Sequence, residues 1–203
     1  MHPRRNCRST GPIRTALLAV GVLLTAGTAP PTGSDQAETY ARSVVRYDVP
    51  DVTLIDMDGR RVRLRRELAD QGPTILEFMY TTCAGICPIL SGLLAQTQEE
   101  LGPEARQAKI WSISIDPEAD TPERLRLYAL GYGAKPNWRF LTGRMEDVVA
   151  VQQAFDAYRG NKMRHEPLVF LHSGGRGSAE WVRLNGTLTA SQLAAEYRRL
   201  VRP

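Results

Sequence analysis

The chain of 203 residues is poor in the two residue types that most often carry metal and redox chemistry. It has three cysteines, Cys7, Cys83 and Cys87, and three histidines, His2, His165 and His172. So few cysteines exclude a disulfide-stapled scaffold, and a chain of this length can bury an adequate core without staples. Internal repeats are lacking, and beyond the N-terminal third no linker or break in composition appears, which points to one folded domain. The apolar run at 16–27 has twelve residues, short of the ~20 that a spanning helix needs. No cysteine follows that run, which argues against a lipoprotein anchor, and Arg4-Arg5 lacks the apolar residues of a twin-arginine signal directly behind it.

A surplus of one charge is also missing once the N-terminus is set aside. The whole chain has 26 Lys and Arg against 22 Asp and Glu. Residues 1–29 hold four arginines (Arg4, Arg5, Arg8 and Arg14) and no acid, which leaves 22 against 22 in the rest. That balance gives no electrostatic case for nucleic acid or an anionic surface as a partner. Residues 1–29 combine a basic flank, the apolar stretch and small residues at Gly27 and Ala29, the pattern of a targeting segment. They are expected to export the chain, as a cleaved signal peptide or, counting 15–31, as an uncleaved N-terminal membrane anchor. The expected location is the periplasm or the extracytoplasmic face of a membrane. Residues 30–46, rich in Pro, Thr, Ser, Gly and acids, are expected to be a linker, and 47–203 the folded domain.

Periodicity predicts a mixed α/β fold. Apolar runs at 52–55 and 62–64 flank Asp58-Gly59, a strong hairpin signal. A buried strand is expected at 73–80 and a helix after Pro88, with Ile89, Leu90, Leu93, Leu94 and Leu101 at helical spacing and Gly102-Pro103 as its stop. A second strand spans 110–115, and Thr121-Pro122-Glu123 opens another helix with Thr as cap and Pro at its first position. A short strand at 138–141 precedes a helix with Val148, Val151, Phe155 and Tyr158 on one face. Strands at 168–171 and 181–184 surround a Gly-rich turn, and a last helix runs over about 189–200 with Leu193, Tyr197 and Leu200 inward. This order describes a thioredoxin-like mixed sheet flanked by helices, with an N-terminal β-hairpin.

Without Cys7, which falls in the leader, Cys83 and Cys87 form the one pair of the exported chain. They stand in Thr81-Thr82-Cys83-Ala84-Gly85-Ile86-Cys87-Pro88, between a strand and a helix, where open α/β sheets place their sites. A single close pair in an oxidising compartment points to functional thiols. Four-residue spacing lets both sulfurs converge on one ion and equally permits a disulfide. A helix opening at Pro88 would put Cys87 near the positive end of the helix dipole, which favours its thiolate. His165, just before the 168–171 strand, faces the cysteine loop in such a sheet and can serve as a third ligand; His172, at the strand's other end, is expected at the surface or in a turn. Two thiolates with an imidazole suit copper or zinc, but a structural zinc site usually takes four protein ligands. Three ligands on an exposed loop favour a copper ion, Cu(I) or Cu(II), that is handed on. Met163 and Met79 could add a soft thioether, but Met79 is expected in the core and Met163 in a loop. Asp116 and Asp120 could steer a partner or tune the thiols, or serve only the turn and the helix cap.

Three blocks in order carry a resemblance to a known family: Cys83-x-x-x-Cys87-Pro88, then Asp116-Pro117-Glu118-x-Asp120-Thr121-Pro122, then His165 before a strand. Over residues 48–200 the chain resembles the Sco/SenC family of thioredoxin-like copper proteins. The resemblance implies a copper chaperone with Cys83, Cys87 and His165 as ligands. It further implies delivery to the dinuclear CuA centre of cytochrome c oxidase, whose CuA subunit would be the partner, with a possible membrane tether. Some members of that family act instead as thiol-disulfide reductants, so a thiol-disulfide oxidoreductase using Cys83 and Cys87 stands as the alternative, and whether the chain is an enzyme stays open. The sequence departs from common family usage at Ala84, where many members have proline, and at Glu166-Pro167, where many have an apolar run. Peroxidase chemistry of the peroxiredoxin type is disfavoured, because the Pro and Thr that its pattern places before the cysteine are Leu76 and Tyr80 here.

Overall fold

The structure is a computed structural model that describes residues 40–70, 72–174 and 179–202. The leader expected at 1–29 and the first part of the expected linker lie outside these residues. Among the described residues eight strands form one sheet: β1 (Tyr40–Arg46), β2 (Thr53–Asp56), β3 (Arg61–Arg63), β4 (Thr74–Met79), β5 (Lys109–Ser114), β6 (Trp138–Thr142), β7 (Leu168–His172) and β8 (Glu180–Gly186). The helices described with them are α1 (Leu64–Asp70), α2 (Ile86–Leu101), α3 (Pro122–Gly131), α4 (Met145–Ala154) and α5 (Ala190–Val201). The strands lie in the order β1-β8-β7-β4-β5-β6-β2-β3. Among the described residues no helix is long and apolar enough to cross a membrane.

The middle of this sheet explains the hydrophobic runs. β4 pairs parallel with β5 and antiparallel with β7, and all six of its residues are buried. A strand covered on both faces reads as a continuous run rather than as an alternation. Parallel pairing of β4, β5 and β6 requires crossovers, which α2 and α3 supply. The Asp58-Gly59 signal is a hairpin joining β2 and β3, with Gly59 at φ +78°, where a side chain would be strained. The predicted cap forms, with Thr121 accepting from Arg124 N at α3, and at α5 Thr189 adds a reciprocal capping box with Gln192. Inside, Phe155 packs its ring against Tyr47, Phe170 and Trp181 at centroid distances of 4.9, 5.1 and 4.9 Å. Each such ring pair adds about 0.5–1.5 kcal/mol beyond its buried area.

Several expectations need correction. The linker expected at 30–46 is a strand from Tyr40 onward, so the folded unit begins before Tyr47. β1 is an edge strand antiparallel to β8, and its composition hid it because most of its residues face solvent. It is tied down by Glu196 of α5, a buried carboxylate that accepts from Tyr40 Oη at 3.0 Å and from Arg42 Nε at 2.8 Å. α4 ends at Ala154, so Tyr158 does not continue its inward face and is exposed. α1 was not anticipated. His172, expected at the surface, is the last residue of β7, is buried, and lies against Trp181 with ring centroids 4.7 Å apart.

One buried carboxyl group in β4 has a measurable consequence. Glu77 is fully buried beside Ser112, whose hydroxyl donates to Oε1 at 2.6 Å. Burial raises its pKa from the ordinary 4.5 to about 8, against hydrogen bonds from Ser112 and Ser91 that pull the other way. The folded chain therefore holds this proton more tightly than the unfolded chain. The stability the proton brings is complete below about 4.5 and is lost as pH rises through about 8. Thermal unfolding should show a midpoint that falls over this window in the wild type and a flatter profile in Glu77→Gln. Equal slopes in the two proteins would contradict the assignment.

Candidate metal centre

The cysteine loop leaves the carboxyl end of β4 at Tyr80 and turns at once, with Cys83 N donating to Tyr80 O at 3.2 Å. α2 then starts at Ile86, two residues before the expected opening at Pro88. Its cap residue, Gly85, has no side chain to accept from the first free N–H groups of the helix. The sulfur of Cys83 takes that part, accepting from Cys87 N at 3.5 Å.

This geometry reverses the expected roles of the two thiols. Cys87 lies in the first turn of α2 but points inward and is 0% exposed, whereas Cys83 is 9% exposed. Burial pushes the Cys87 thiol well up, and the neighbouring Cys83 adds to the rise, although the Tyr80 main-chain N–H opposes it. Burial acts on Cys83 in the same sense, but hydrogen bonds from Cys87 N, the Cys87 thiol, Gly85 N and the Tyr80 hydroxyl outweigh it. They hold the Cys83 thiol below its ordinary range. The helix N-terminus thus serves Cys83 and not Cys87.

The third member arrives from across the sheet. β7 runs antiparallel to β4, so the segment that enters β7 lies over the end of β4, and it carries His165. A short 3₁₀ turn, Lys162–Arg164, sets the ring in place. His165 Nδ1 donates to Lys162 O at 3.0 Å, which leaves Nε2 as the lone-pair nitrogen, 3.1 Å from Cys87 Sγ. Nε2 and the Cys83 sulfur are thus alternative acceptors for the one Cys87 S–H. Burial lowers the pKa of His165 against the Lys162 carbonyl bond, so the imidazole is kept neutral and ready to ligate. The ligand atoms of Cys83, Cys87 and His165 all lie within 4.8 Å of one another. Metal–sulfur and metal–nitrogen bonds of about 2.0–2.3 Å would close around one ion with only a small inward movement. Both cysteines are free thiols in this structure.

The two aspartates that the sequence marked, with neighbours it did not, hold this arrangement. Asp120 is fully buried and accepts from Thr81 N at 3.1 Å, Thr81 Oγ1 at 2.5 Å and Ser114 Oγ at 2.6 Å. It ties the cysteine loop to the end of β5, a larger part than a turn or a cap. Asp116, also buried, pairs with Lys162 Nζ at 2.5 Å and so fixes the turn that carries His165. Lys162 Nζ also lies 5.5 Å from the centre of the Tyr80 ring, and that ring meets His165 edge-on at 5.4 Å. Glu166 is clamped by Arg159 at 3.0 Å through both carboxylate oxygens, so an ionic tie fixes the segment beyond the histidine. Met79 is buried in the core as expected. A cavity of about 360 Å³, lined by Asp116, Asn161, Lys162 and His165 among others, opens beside the histidine.

Known proteins resemble this chain. A curated relative, the SCO1 protein homolog of Bacillus subtilis (strain 168), is 34% identical over 100 residues, which is 49% of this chain and 51% of that relative. The match thus spans about half the relative's length. The structure of Bradyrhizobium japonicum ScoI with copper bound superposes with a TM-score of 0.59 at 24% identity, covering 73% of this chain and 96% of that one. BsSco, in which a disulfide switch was identified and which is described as a member of the Sco family of cytochrome c oxidase assembly proteins, gives a TM-score of 0.63 at 24% identity. That comparison covers 78% of this chain and 95% of BsSco. At these identities the two structures establish the thioredoxin-like fold. The SCO1/SenC family model matches residues 48–201, a stretch that takes in the cysteine loop, the Asp116–Asp120 segment and His165, and the chain belongs to the SCO1/SenC family.

Proposed function

We propose that this protein carries one copper ion between the Cys83 and Cys87 thiolates and the His165 imidazole, and delivers it to the CuA centre of cytochrome c oxidase on the extracytoplasmic side of a membrane. The observation that carries the reading is the convergence of two sulfurs and one neutral imidazole nitrogen within 4.8 Å at the carboxyl end of the central strand β4. Two soft donors and an imidazole match copper better than magnesium or calcium, which take oxygen ligands. Copper bound in the related ScoI, and the assembly role attached to the family through BsSco, support the cargo and the partner. The composition of residues 1–29 supports export.

The two thiols would load in order. Cys83, with the lower pKa, offers a thiolate first. The buried Cys87 gives up its proton only as the metal replaces it, because metal binding displaces thiol protons. His165 contributes Nε2 without losing a proton, since Nδ1 carries the hydrogen and keeps it on Lys162 O.

The same asymmetry favours a second reading, thiol exchange. The Cys83 thiolate would attack a partner disulfide to form a mixed disulfide. The Cys87 thiolate would then displace the partner sulfur, leaving a Cys83–Cys87 disulfide and a reduced partner. The test is to mix copper-loaded protein with a metal-free, reduced CuA domain, separate the two, and measure copper in each. Copper is expected to move to the CuA domain. Copper that stays put, together with reduction of an oxidised CuA domain by the metal-free protein, would replace delivery by thiol exchange.

A further inference from the structure

Met163 is the most exposed large apolar residue among those described, at 72%, yet it sits two residues before His165 in the turn that fixes the histidine. A side chain that exposed gains little from packing. Its sulfur is nevertheless oriented: the Tyr80 hydroxyl donates to Met163 Sδ at 3.3 Å. The ring that carries this hydroxyl meets the His165 imidazole edge-on at 5.4 Å. Tyr80 therefore joins the sulfur at the mouth to a member of the candidate centre. The backbone beneath Met163 is held firm, because Asn161 Oδ1 accepts from Met163 N at 2.9 Å and Lys162 is paired with the buried Asp116. The thioether alone is free to swing, on three rotatable bonds.

Resting on the copper reading above, we propose that Met163 is a relay ligand of this centre, whose thioether takes Cu(I) at the mouth as the ion passes between the inner ligands and a partner. A thioether is a soft, neutral donor that suits Cu(I), and it neither gains nor loses a proton on exchange. In the outward step the Met163 Sδ lone pair forms a Cu–S bond. The bond from copper to Cys83 breaks with its electron pair left on sulfur. Copper stays Cu(I), no electron is transferred and no proton leaves. The Tyr80 O–H, released by Met163, turns to the Cys83 thiolate and stabilises it. The exposed Met163 then holds the ion where an incoming ligand can reach it.

The test uses the full chain loaded with Cu(I), and reads the rate at which a soluble Cu(I) chelator withdraws the metal. Met163→Leu keeps the apolar volume and removes the sulfur. It is expected to slow withdrawal about tenfold, at the low end of what outer partners of a metal site carry, with thermal unfolding unchanged. In wild type labelled at the methionine methyl groups, Cu(I) is expected to shift or broaden the Met163 resonance. A wild-type withdrawal rate in Met163→Leu, or a Met163 resonance unmoved through one equivalent of Cu(I), overturns the relay while leaving the inner site intact. A wild-type chain that takes up no copper overturns the copper reading and the relay with it.

Discussion

His165→Ala is expected to lower copper affinity by more than about 100-fold while leaving the fold unchanged. His165 is one of three converging donors, and even the outer partners of a metal ligand carry about 10–100-fold in affinity. Among the described residues no other His, Cys, Asp or Glu joins the cluster. The ring is half-buried on a short turn rather than in the core, so its loss should cost little stability. The substitution also strips Cys87 of the acceptor 3.1 Å from its sulfur. In the metal-free protein the Cys87 thiol should then lose its fixed orientation. Competition with a Cu(I) chelator of known affinity reads the effect. An affinity equal to that of the wild type would remove His165 from the site.

Asp120→Ala is expected to produce the largest loss of stability around the centre. The carboxylate is fully buried and satisfies the Thr81 main-chain N–H, the Thr81 hydroxyl and the Ser114 hydroxyl. Alanine leaves these donors without their acceptor, and each unsatisfied buried group costs about 1–3 kcal/mol. A total near 4 kcal/mol would lower the unfolding midpoint by about 10 °C in a domain of this size. Copper affinity should fall too, by about tenfold, because Thr81 stands two residues before Cys83 and the loop loses its tether to β5. Asp120→Asn, which keeps the shape and one acceptor oxygen, should lie between the two. Differential scanning calorimetry and copper competition check both parts. A wild-type midpoint in Asp120→Ala would mean that the buried network does not hold the loop.

What could be read from the chain divides along contact range. Local signals came through: the continuous apolar run of β4, the Asp58-Gly59 hairpin and the Thr121 cap all act between residues close in sequence. The approach of His165 to the cysteines was legible because sheet order places the entry to β7 over the exit from β4. Spacing did not reveal depth. Cys87 in a first helical turn reads as an activated thiol, yet burial outweighs the helix dipole and the activation falls to Cys83. Long-range ties were hidden for the same reason. The part Asp120 plays stayed open between capping and tuning because its partner Thr81 is 39 positions away, and β1 reads as linker because β8 and Glu196 lie at the far end of the chain. Glu77 did carry a signal, as the lone charge in an otherwise apolar strand. A charge that interrupts a buried run marks a group whose proton binding the fold must alter.

Copper stoichiometry under reducing conditions tests the central claim most directly. Equilibrium dialysis of the reduced chain against limiting Cu(I) should give one tightly held ion in the wild type and none in the Cys83→Ser, Cys87→Ser double variant. One equivalent retained by the double variant, or no uptake by the wild type, would contradict a copper centre built on these two sulfurs.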